Sequence, residues 1–153
     1  MKKININKIF HFIIATAVSI GLSILAKTGA MYCINNNVDI TNKVFEIFFV
    51  RNTGAAFSIL SSYTDILIDL SIAVLIVITL HVINNSKKIS ILRLNSLAIL
   101  SAGILGNLIE RIRDGYVTDY IKLNFVNFPV FNASDALITL GAVLLIITLY
   151  KNK

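Results

Sequence analysis

Four long apolar stretches constrain the fold of this chain more than any other feature of its sequence. They cover residues 9–26, 66–83, 94–112 and 133–150, and each approaches the roughly 20 residues that an α-helix needs to cross a bilayer. Overall, 56% of the 153 residues are hydrophobic and 14% are charged, which is more apolar surface than a soluble domain of this size could bury. The sequence therefore predicts an all-α membrane protein with four transmembrane helices.

The first apolar stretch has a second interpretation, as a cleaved signal peptide, because basic residues precede it. Its apolar run is long for the hydrophobic region of a signal peptide, and no convincing small-x-small cleavage motif stands before Met31. We therefore favour a retained helix, with residues 1–153 forming a single membrane-embedded domain.

Charged residues are divided between the two ends of the predicted bundle. Four spans place eight basic residues on one side with no acidic residue among them, namely Lys2, Lys3, Lys8, Lys87, Lys88, Arg93, Lys151 and Lys153. Positive residues gather on the cytoplasmic side of membrane proteins. Both termini are therefore predicted to be cytoplasmic, and the long connections 27–65 and 113–132 to face outward. Topology thus explains the net charge of +6, and we expect no nucleic-acid partner.

The outer connections contain two segments that are typical of strands. Residues 44–50 (VFEIFFV) are rich in β-branched and aromatic side chains, and residues 116–125 (YVTDYIKLNF) partly alternate apolar and polar side chains. They predict a small extracytoplasmic β-rich cap. The cap could simply cover the helices, or it could also hold an extended peptide along a sheet edge.

Polar residues cluster where three segments reach the outer membrane boundary. These segments are residues 51–57 before the second span, residues 103–111 at the end of the third, and residues 131–135 at the start of the fourth. The small residues of the first segment allow a close backbone approach, although a simple turn would explain them equally well.

The other two segments also have plain structural explanations. Glu110 and Arg111 could form a pair that reaches the membrane surface, and Ser134 or Asp135 could cap a helix N-terminus. Asn107 fits neither explanation, because it lies a full turn deeper in the membrane. Polar groups at such a depth usually face the bundle interior and mark a functional site.

Two carboxyl groups at the outer boundary, those of Asp119 and Asp135, could act together in catalysis. One aspartate can activate water as a general base while the other protonates the carbonyl oxygen of a peptide bond. Other catalytic groups are badly placed, since His11 and His81 fall near the cytoplasmic ends of their spans and Cys33 has no histidine near its loop. We therefore expect neither a metal site nor a cofactor.

Three blocks of sequence, taken in order, resemble those of one enzyme family. Residues 52–57 (NTGAAF) resemble the pattern N-x-G-A-A-F, residues 103–120 resemble G-x-x-G-N-x-x-D-R…G-x-V-x-D-[FY], and residues 131–135 (FNASD) resemble F-N-x-A-D. The family is that of the bacterial lipoprotein signal peptidases, also called signal peptidase II. The resemblance implies an aspartic endopeptidase of the bacterial plasma membrane. Such an enzyme removes signal peptides from prolipoproteins by cleaving before the diacylglyceryl-modified cysteine.

The resemblance also implies roles for individual residues. Asp119 and Asp135 correspond to the catalytic aspartates of the family. Five other residues correspond to positions that shape the substrate site, namely Asn52, Gly54, Asn107, Arg111 and Asn132. The implied partners are lipid-modified prolipoproteins and membrane lipids, and we expect the protein to act as a monomer.

Three positions depart from the family pattern. Ser23 stands where a D-x-x-x-K motif ending at Lys27 usually has its acid, Glu110 replaces an aspartate, and Ser134 replaces an alanine. None of these changes alters the two aspartates. We therefore expect Ser23→Ala to have little effect on turnover.

Two other functions are compatible with four spans. A transporter or channel would need polar residues through the full depth of the membrane, whereas the cytoplasmic half of each span is nearly all apolar here. A non-catalytic membrane subunit would tolerate substitution of Asp119 and Asp135.

Overall fold

The structure, a computed structural model, describes residues 4–54 and 63–151, which form four helices and two strands. In chain order these are α1 (Ile6–Asn35), β1 (Phe45–Asn52), α2 (Thr64–Asn85), α3 (Ile91–Asp114), β2 (Val117–Leu123) and α4 (Ala133–Lys151). Each helix is long and apolar enough to cross a membrane, which confirms the predicted fold class of four spans with a small sheet. Residues 55–57 of the first sequence block lie outside the described residues, as do Lys2, Lys3 and Lys153.

The first helix is longer than its apolar stretch. It continues to Asn35, and its 30 residues extend about 45 Å, compared with roughly 30 Å of hydrocarbon in a bilayer. The extension contains no proline, and the Thr28 hydroxyl donates to the carbonyl four residues earlier (2.8 Å). Just beyond the helix, Asn37 has a φ of 55°, a left-handed value that asparagine tolerates. The outer connection therefore begins after Asn35 rather than at residue 27, and Cys33 lies in the last turn of α1.

The third helix is the central one, and it packs against α1, α2 and α4. Half of its apolar stretch is buried, compared with 17% in each of the other helices, which expose large apolar side chains such as Leu25, Val77 and Leu149. Small residues let α4 approach α3 closely, since a Cβ on Gly141 would lie only 2.7 Å from the Cα of Leu100. The helices that carry Asn107, Arg111 and Asp135 of the predicted site are therefore in direct contact.

One end of the bundle, which we call the basic end, holds Lys8, Lys87 and Arg93 and is packed with apolar side chains. Its core consists of Phe12, Ile78, Val82, Ile89, Leu94, Leu97 and Ala98. The Nζ of Lys8 donates to the carbonyl of Ile89 (2.6 Å). This contact attaches the start of α1 to the connection between α2 and α3.

The opposite end, which we call the sheet end, carries the two strands. The strands predicted at residues 44–50 and 116–125 are present as β1 and β2, with their ends shifted by one or two residues. They pair antiparallel, with Val50 opposite Asp119, and the register is irregular between Ile47 and Val50. The sheet therefore lies over the end of the bundle and presents Asp119 toward it.

The segment after β2 folds back along that strand before α4 begins. The N–H of Phe131 donates to the carbonyl of Ile121 (3.0 Å), and the N–H of Ile121 donates to the carbonyl of Phe131 (2.8 Å). This pairing makes the first turn of α4 start beside β2. It thereby brings Asp119 and Asp135, which are 16 positions apart in the sequence, to the same place.

Candidate active site

Asn132, the residue before α4, bonds to both of the aspartates singled out by the sequence. Its Nδ2 donates to Oδ1 of Asp119 (2.8 Å), and its backbone N–H donates to Oδ2 of Asp135 (3.1 Å). Its Oδ1 accepts from the backbone N–H of Asp135 (3.0 Å), which completes the reciprocal arrangement known as a capping box. One buried asparagine therefore caps α4 and holds the two carboxyl groups near each other.

The side chain of Asp119 is almost completely buried, with 1% of the residue exposed. The Nδ2 of Asn52 donates to its Oδ2 (2.8 Å), so each carboxyl oxygen has an amide donor. Burial raises the pKa of Asp119 to about 6, although the hydrogen bonds from Asn52 and Asn132 lower it, and the charge of Asp135 raises it further. A carboxyl group with this pKa can change its protonation state close to neutral pH.

Asp135 lies in the first turn of α4 and faces α3. Its Oδ1 accepts from Nδ2 of Asn107 (2.7 Å), and Oδ1 of Asn107 accepts from Nδ2 of Asn132 (3.3 Å). Asn107 is buried, which confirms that it faces the bundle interior. Oδ2 of Asp135 takes part in the capping box at the start of α4. Its Oδ1 instead belongs to the buried polar cluster formed with Asn107 and Asn132.

The end of β1 joins the same cluster. Oδ1 of Asn52 accepts from the N–H of Gly54 (2.9 Å), and the carbonyl of Gly54 accepts from Nη2 of Arg111 (2.8 Å). Arg111 is thereby held where its positive charge interacts with both Asp119 and Asp135. The structure thus brings together all seven residues that the resemblance singled out.

An ion pair beside this cluster was not expected from the sequence. Nζ of Lys27 lies 2.7 Å from Oε2 of Glu110, and the same oxygen accepts from the N–H of Thr118 (2.8 Å). Glu110 therefore connects α1, α3 and β2 next to Asp119, and it does not form the surface pair with Arg111. One indication of this ion pair was available in the sequence, because Lys27 and Glu110 both lie at the outer ends of their predicted spans.

Tyr120 is a further residue that sequence reasoning missed. Its hydroxyl accepts from the N–H of Ala133 (3.2 Å), one of the groups that a helix start leaves without an intrahelical partner. Burial raises the pKa of Tyr120, so its hydroxyl stays neutral. The partly alternating pattern of residues 116–125 suggests a strand with one buried and one exposed face, so it gave no indication of this role. In the structure both faces of the strand are buried from Val117 to Tyr120.

A cavity of about 1060 Å³ opens beside the cluster, with both carboxyl groups on its wall. Most of its remaining lining is apolar and includes Leu67, Leu70, Phe128, Pro129, Val130, Ile138, Leu140 and Val143. Val143 is eight residues after Asp135 on α4, which corresponds to about 12 Å along the helix. The cavity can therefore hold a polar group beside the carboxyls and an apolar chain along the membrane-spanning part of α4.

The sequence of the chain is similar to one characterised family over nearly its whole length. Residues 13–151 match a family model described as signal peptidase (SPase) II. The lipoprotein signal peptidase of Streptococcus thermophilus is 37% identical over 110 residues, which cover 72% of this chain and 71% of that protein. The corresponding protein of Clostridium tetani is 32% identical over 121 residues, which cover 77% of each chain.

Two solved structures, both described as bacterial membrane enzymes, share the fold. One has a TM-score of 0.79 at 28% identity and covers 94% of this chain and 90% of its own. The other has a TM-score of 0.76 at 27% identity and covers 95% of this chain and 96% of its own. The fold, the sequence blocks and the family match agree, and the chain belongs to the signal peptidase II family.

Proposed function

We propose that this chain is an aspartic endopeptidase that removes signal peptides from lipid-modified prolipoproteins, with Asp119 and Asp135 as its catalytic pair. The observation that carries the proposal is the bonding of Asn132 to both carboxyl groups at the wall of a large cavity. Membership of the signal peptidase II family supports peptide hydrolysis. Relatives named lipoprotein signal peptidases support the prolipoprotein substrate, and the cleaved bond is the one before the diacylglyceryl-modified cysteine.

Two adjacent carboxyl groups can hydrolyse a peptide bond when they share one proton. The ionised member takes a proton from the attacking water, and the protonated member gives its proton to the carbonyl oxygen. Like charges at close range resist simultaneous ionisation, so the pair titrates as one unit. The pKa of Asp119, near 6, supports this chemistry because the group exchanges a proton readily at neutral pH.

The five neighbouring residues hold the pair and bind the peptide beside it. Asn52, Asn107 and Asn132 each donate to a carboxyl oxygen of the pair, which orients both groups. Gly54 holds Arg111 through its carbonyl. The guanidinium on the cavity wall then supplies a positive charge close to the peptide carbonyl that the two carboxyl groups attack.

The cavity suits a substrate that is part peptide and part lipid. Its polar wall lies at the sheet end, while its apolar wall follows α2 and α4 into the membrane-spanning region. A peptide that carries a diacylglyceryl group stays in the bilayer, so its cleavable bond lies at the membrane surface. We therefore place the acyl chains and the apolar signal peptide against the membrane-spanning part of the cavity.

We also propose that the sheet end faces outward and that both termini are cytoplasmic. The support is the group of basic residues without acidic neighbours at the basic end. Since one chain supplies both carboxyl groups and the cavity, a monomer is sufficient for activity. A transporter is less well supported, because the buried polar cluster lies at the sheet end while the core of the basic end is apolar.

Cleavage of a lipidated precursor by the purified protein tests the proposal. In detergent or liposomes, the protein should shorten a precursor that carries a diacylglyceryl cysteine and leave the unlipidated form of the same precursor intact. Cleavage should persist in the presence of strong chelators, because the proposed chemistry uses two carboxyl groups. Loss of cleavage on chelation, restored by added zinc, would contradict the aspartic mechanism, and equal cleavage of both precursors would contradict the substrate.

A further inference from the structure

We propose that Ser23 and Ser134 form a positioning pair that holds Asp135 in its catalytic place, an inference that rests on the proposed function. The two hydroxyl oxygens are 2.9 Å apart, and the residues are 9% and 4% exposed. Both line a separate crevice between α1 and α3 rather than the cavity that holds the aspartates. Any effect of the pair on the reaction therefore passes through the residues next to it.

The hydroxyl of Ser23 behaves differently from others on its helix. Thr16, Ser19 and Thr28 each donate to the carbonyl four residues earlier, which is the usual way for a helical hydroxyl to find a partner without water. Ser23 bonds with Ser134 of another helix instead. Ser134 has no such carbonyl within α4, because that helix begins only one residue before it. The bond is thus a specific connection between α1 and the start of α4.

Ser134 is also closely confined by α3. A Cβ on Gly106 would collide with the hydroxyl oxygen of Ser134, and a Cβ on Gly103 would collide with its carbonyl oxygen. Ser134 is therefore held between two glycines of α3 and Ser23 of α1. Because Asp135 is the next residue, a displacement of Ser134 displaces the carboxyl group as well.

Ser23 and Ser134 are two of the three positions at which the chain departs from the family pattern. The structure places these two departures in direct contact. At both positions the chain has a hydroxyl group in place of the side chain of the family pattern, and these two hydroxyl groups bond to each other. This contact revises the expectation that Ser23 is dispensable, because Ser23→Ala would leave the buried hydroxyl of Ser134 without its partner.

Single substitutions with a matched control test the pair in the precursor assay. Ser23→Ala and Ser134→Ala should each lower kcat about fivefold while KM stays unchanged, the effect expected when a buried partner is lost and a catalytic group shifts. Ser23→Thr keeps a hydroxyl and should retain most of the activity. The control is Ser19→Ala, one turn earlier on α1, since Ser19 is equally exposed at 9% and bonds only within its own helix.

The double variant Ser23→Ala/Ser134→Ala separates positioning from a purely structural role. Replacing both partners should restore thermal stability, because no buried hydroxyl is left unpaired. If the pair positions Asp135, kcat should nevertheless stay as low as in the single variants, because the connection between the helices is missing. Recovery of wild-type kcat together with stability would overturn the proposal, as would wild-type kcat in Ser23→Ala.

The wild-type protein and Asp135→Asn complete the comparison. If the wild type does not cleave the lipidated precursor, the proposed function itself is wrong. If the wild type cleaves, Asp135→Asn is inactive and Ser23→Ala is fully active, only the positioning inference is wrong. Should Ser23→Ala fail to fold, Ser134→Ala gives the same comparison of kcat and KM, because it removes the same hydrogen bond from the other side.

Discussion

The two ends of the helix bundle bury different kinds of side chain. The core of the basic end is apolar, with Val82 and Leu94 almost fully buried, and the polar side chains buried beside it include Ser86 and Ser96, whose hydroxyl groups bond to backbone groups. The sheet end buries Asp119, Asn107 and Asn132 at 1%, 5% and 3% exposure, and bonds them to one another. The same helices therefore provide stability at one end and a buried polar cluster at the other.

This difference shows how a small membrane protein can combine a rigid fold with a polar site. Apolar packing depends on volume and tolerates many combinations of side chains. A buried polar group instead needs a partner at a defined distance and angle, and losing that partner costs about 1–3 kcal/mol. Substitutions at the sheet end should therefore lower kcat as well as stability, whereas substitutions at the basic end should lower stability and leave kcat nearly unchanged.

The largest effect is expected from Asp119→Asn and Asp135→Asn. An amide cannot accept the proton from water, so each variant should lose activity by about 10³-fold or more, and the double variant should be no worse because the pair acts as a unit. Precursor cleavage by purified protein measures this, with the elution profile and helical content as controls for folding. Near-normal turnover in either single variant would exclude the proposed pair.

Leu94→Ala is the corresponding change at the basic end. Leu94 is 0% exposed, and truncating a fully buried leucine typically lowers the free energy of unfolding by about 2–5 kcal/mol. We expect a lower unfolding temperature in detergent, with kcat of the folded fraction within about twofold of wild type, since no polar contact of the site changes. A large fall in kcat at unchanged stability would contradict the division between the two ends.

Two glycines of the α3–α4 contact sharpen the comparison. A Cβ on Gly103 would collide with the carbonyl of Ser134, beside the first turn that carries Asp135, whereas a Cβ on Gly141 would press on the backbone of Leu100, farther along α4. Gly103→Ala should lower kcat about tenfold or more, and Gly141→Ala should mainly lower stability, by roughly 1–3 kcal/mol. Paired measurements of kcat and unfolding temperature test this, and equal kcat losses in both variants would refute it.

The pH dependence of cleavage should respond to Asn52. The pKa of Asp119 is about 6, and the hydrogen bond from Asn52 lowers it by stabilising the carboxylate. In the wild type, kcat/KM should fall as the pH rises through about 6, because Asp135 is already ionised when Asp119 loses its proton and the pair then has no proton to give to the carbonyl oxygen. Asn52→Ala removes the donor that stabilises the carboxylate, so the pKa of Asp119 should rise and this limb of the profile should move to higher pH. A shift toward lower pH would contradict the assigned contact.

The smallest effect is expected at Cys33, which lies in the last turn of α1 toward the sheet end. If the sheet end faces outward, a membrane-impermeant thiol reagent should label Cys33 from outside intact cells. Cys33→Ser should cleave the precursor at the wild-type rate, since the residue takes no part in the polar cluster. Labelling only from the cytoplasmic side would reverse the proposed orientation.

The sequence by itself determined the four spans and the residue types of the site. A helix satisfies its backbone groups internally, so four long apolar stretches can cross a bilayer in few other ways. The resemblance of three sequence blocks to one family also singled out all seven members of the polar cluster, whose catalytic and binding roles stay predictions. Their identification depended on family resemblance, because Asp119 alone is indistinguishable in the sequence from an exposed carboxylate.

Only the tertiary structure decided how these groups are connected. The Ser23–Ser134 bond joins residues 111 positions apart, and Lys27 meets Glu110 across two different helices. The burial of Asp119 depends on the pairing of β1 with β2 and on the return of the chain at Phe131. Such contacts depend on which faces of two helices meet and at what depth. Apolar periodicity and local spacing do not encode that register, because lipid is as good a neighbour for an apolar face as another helix.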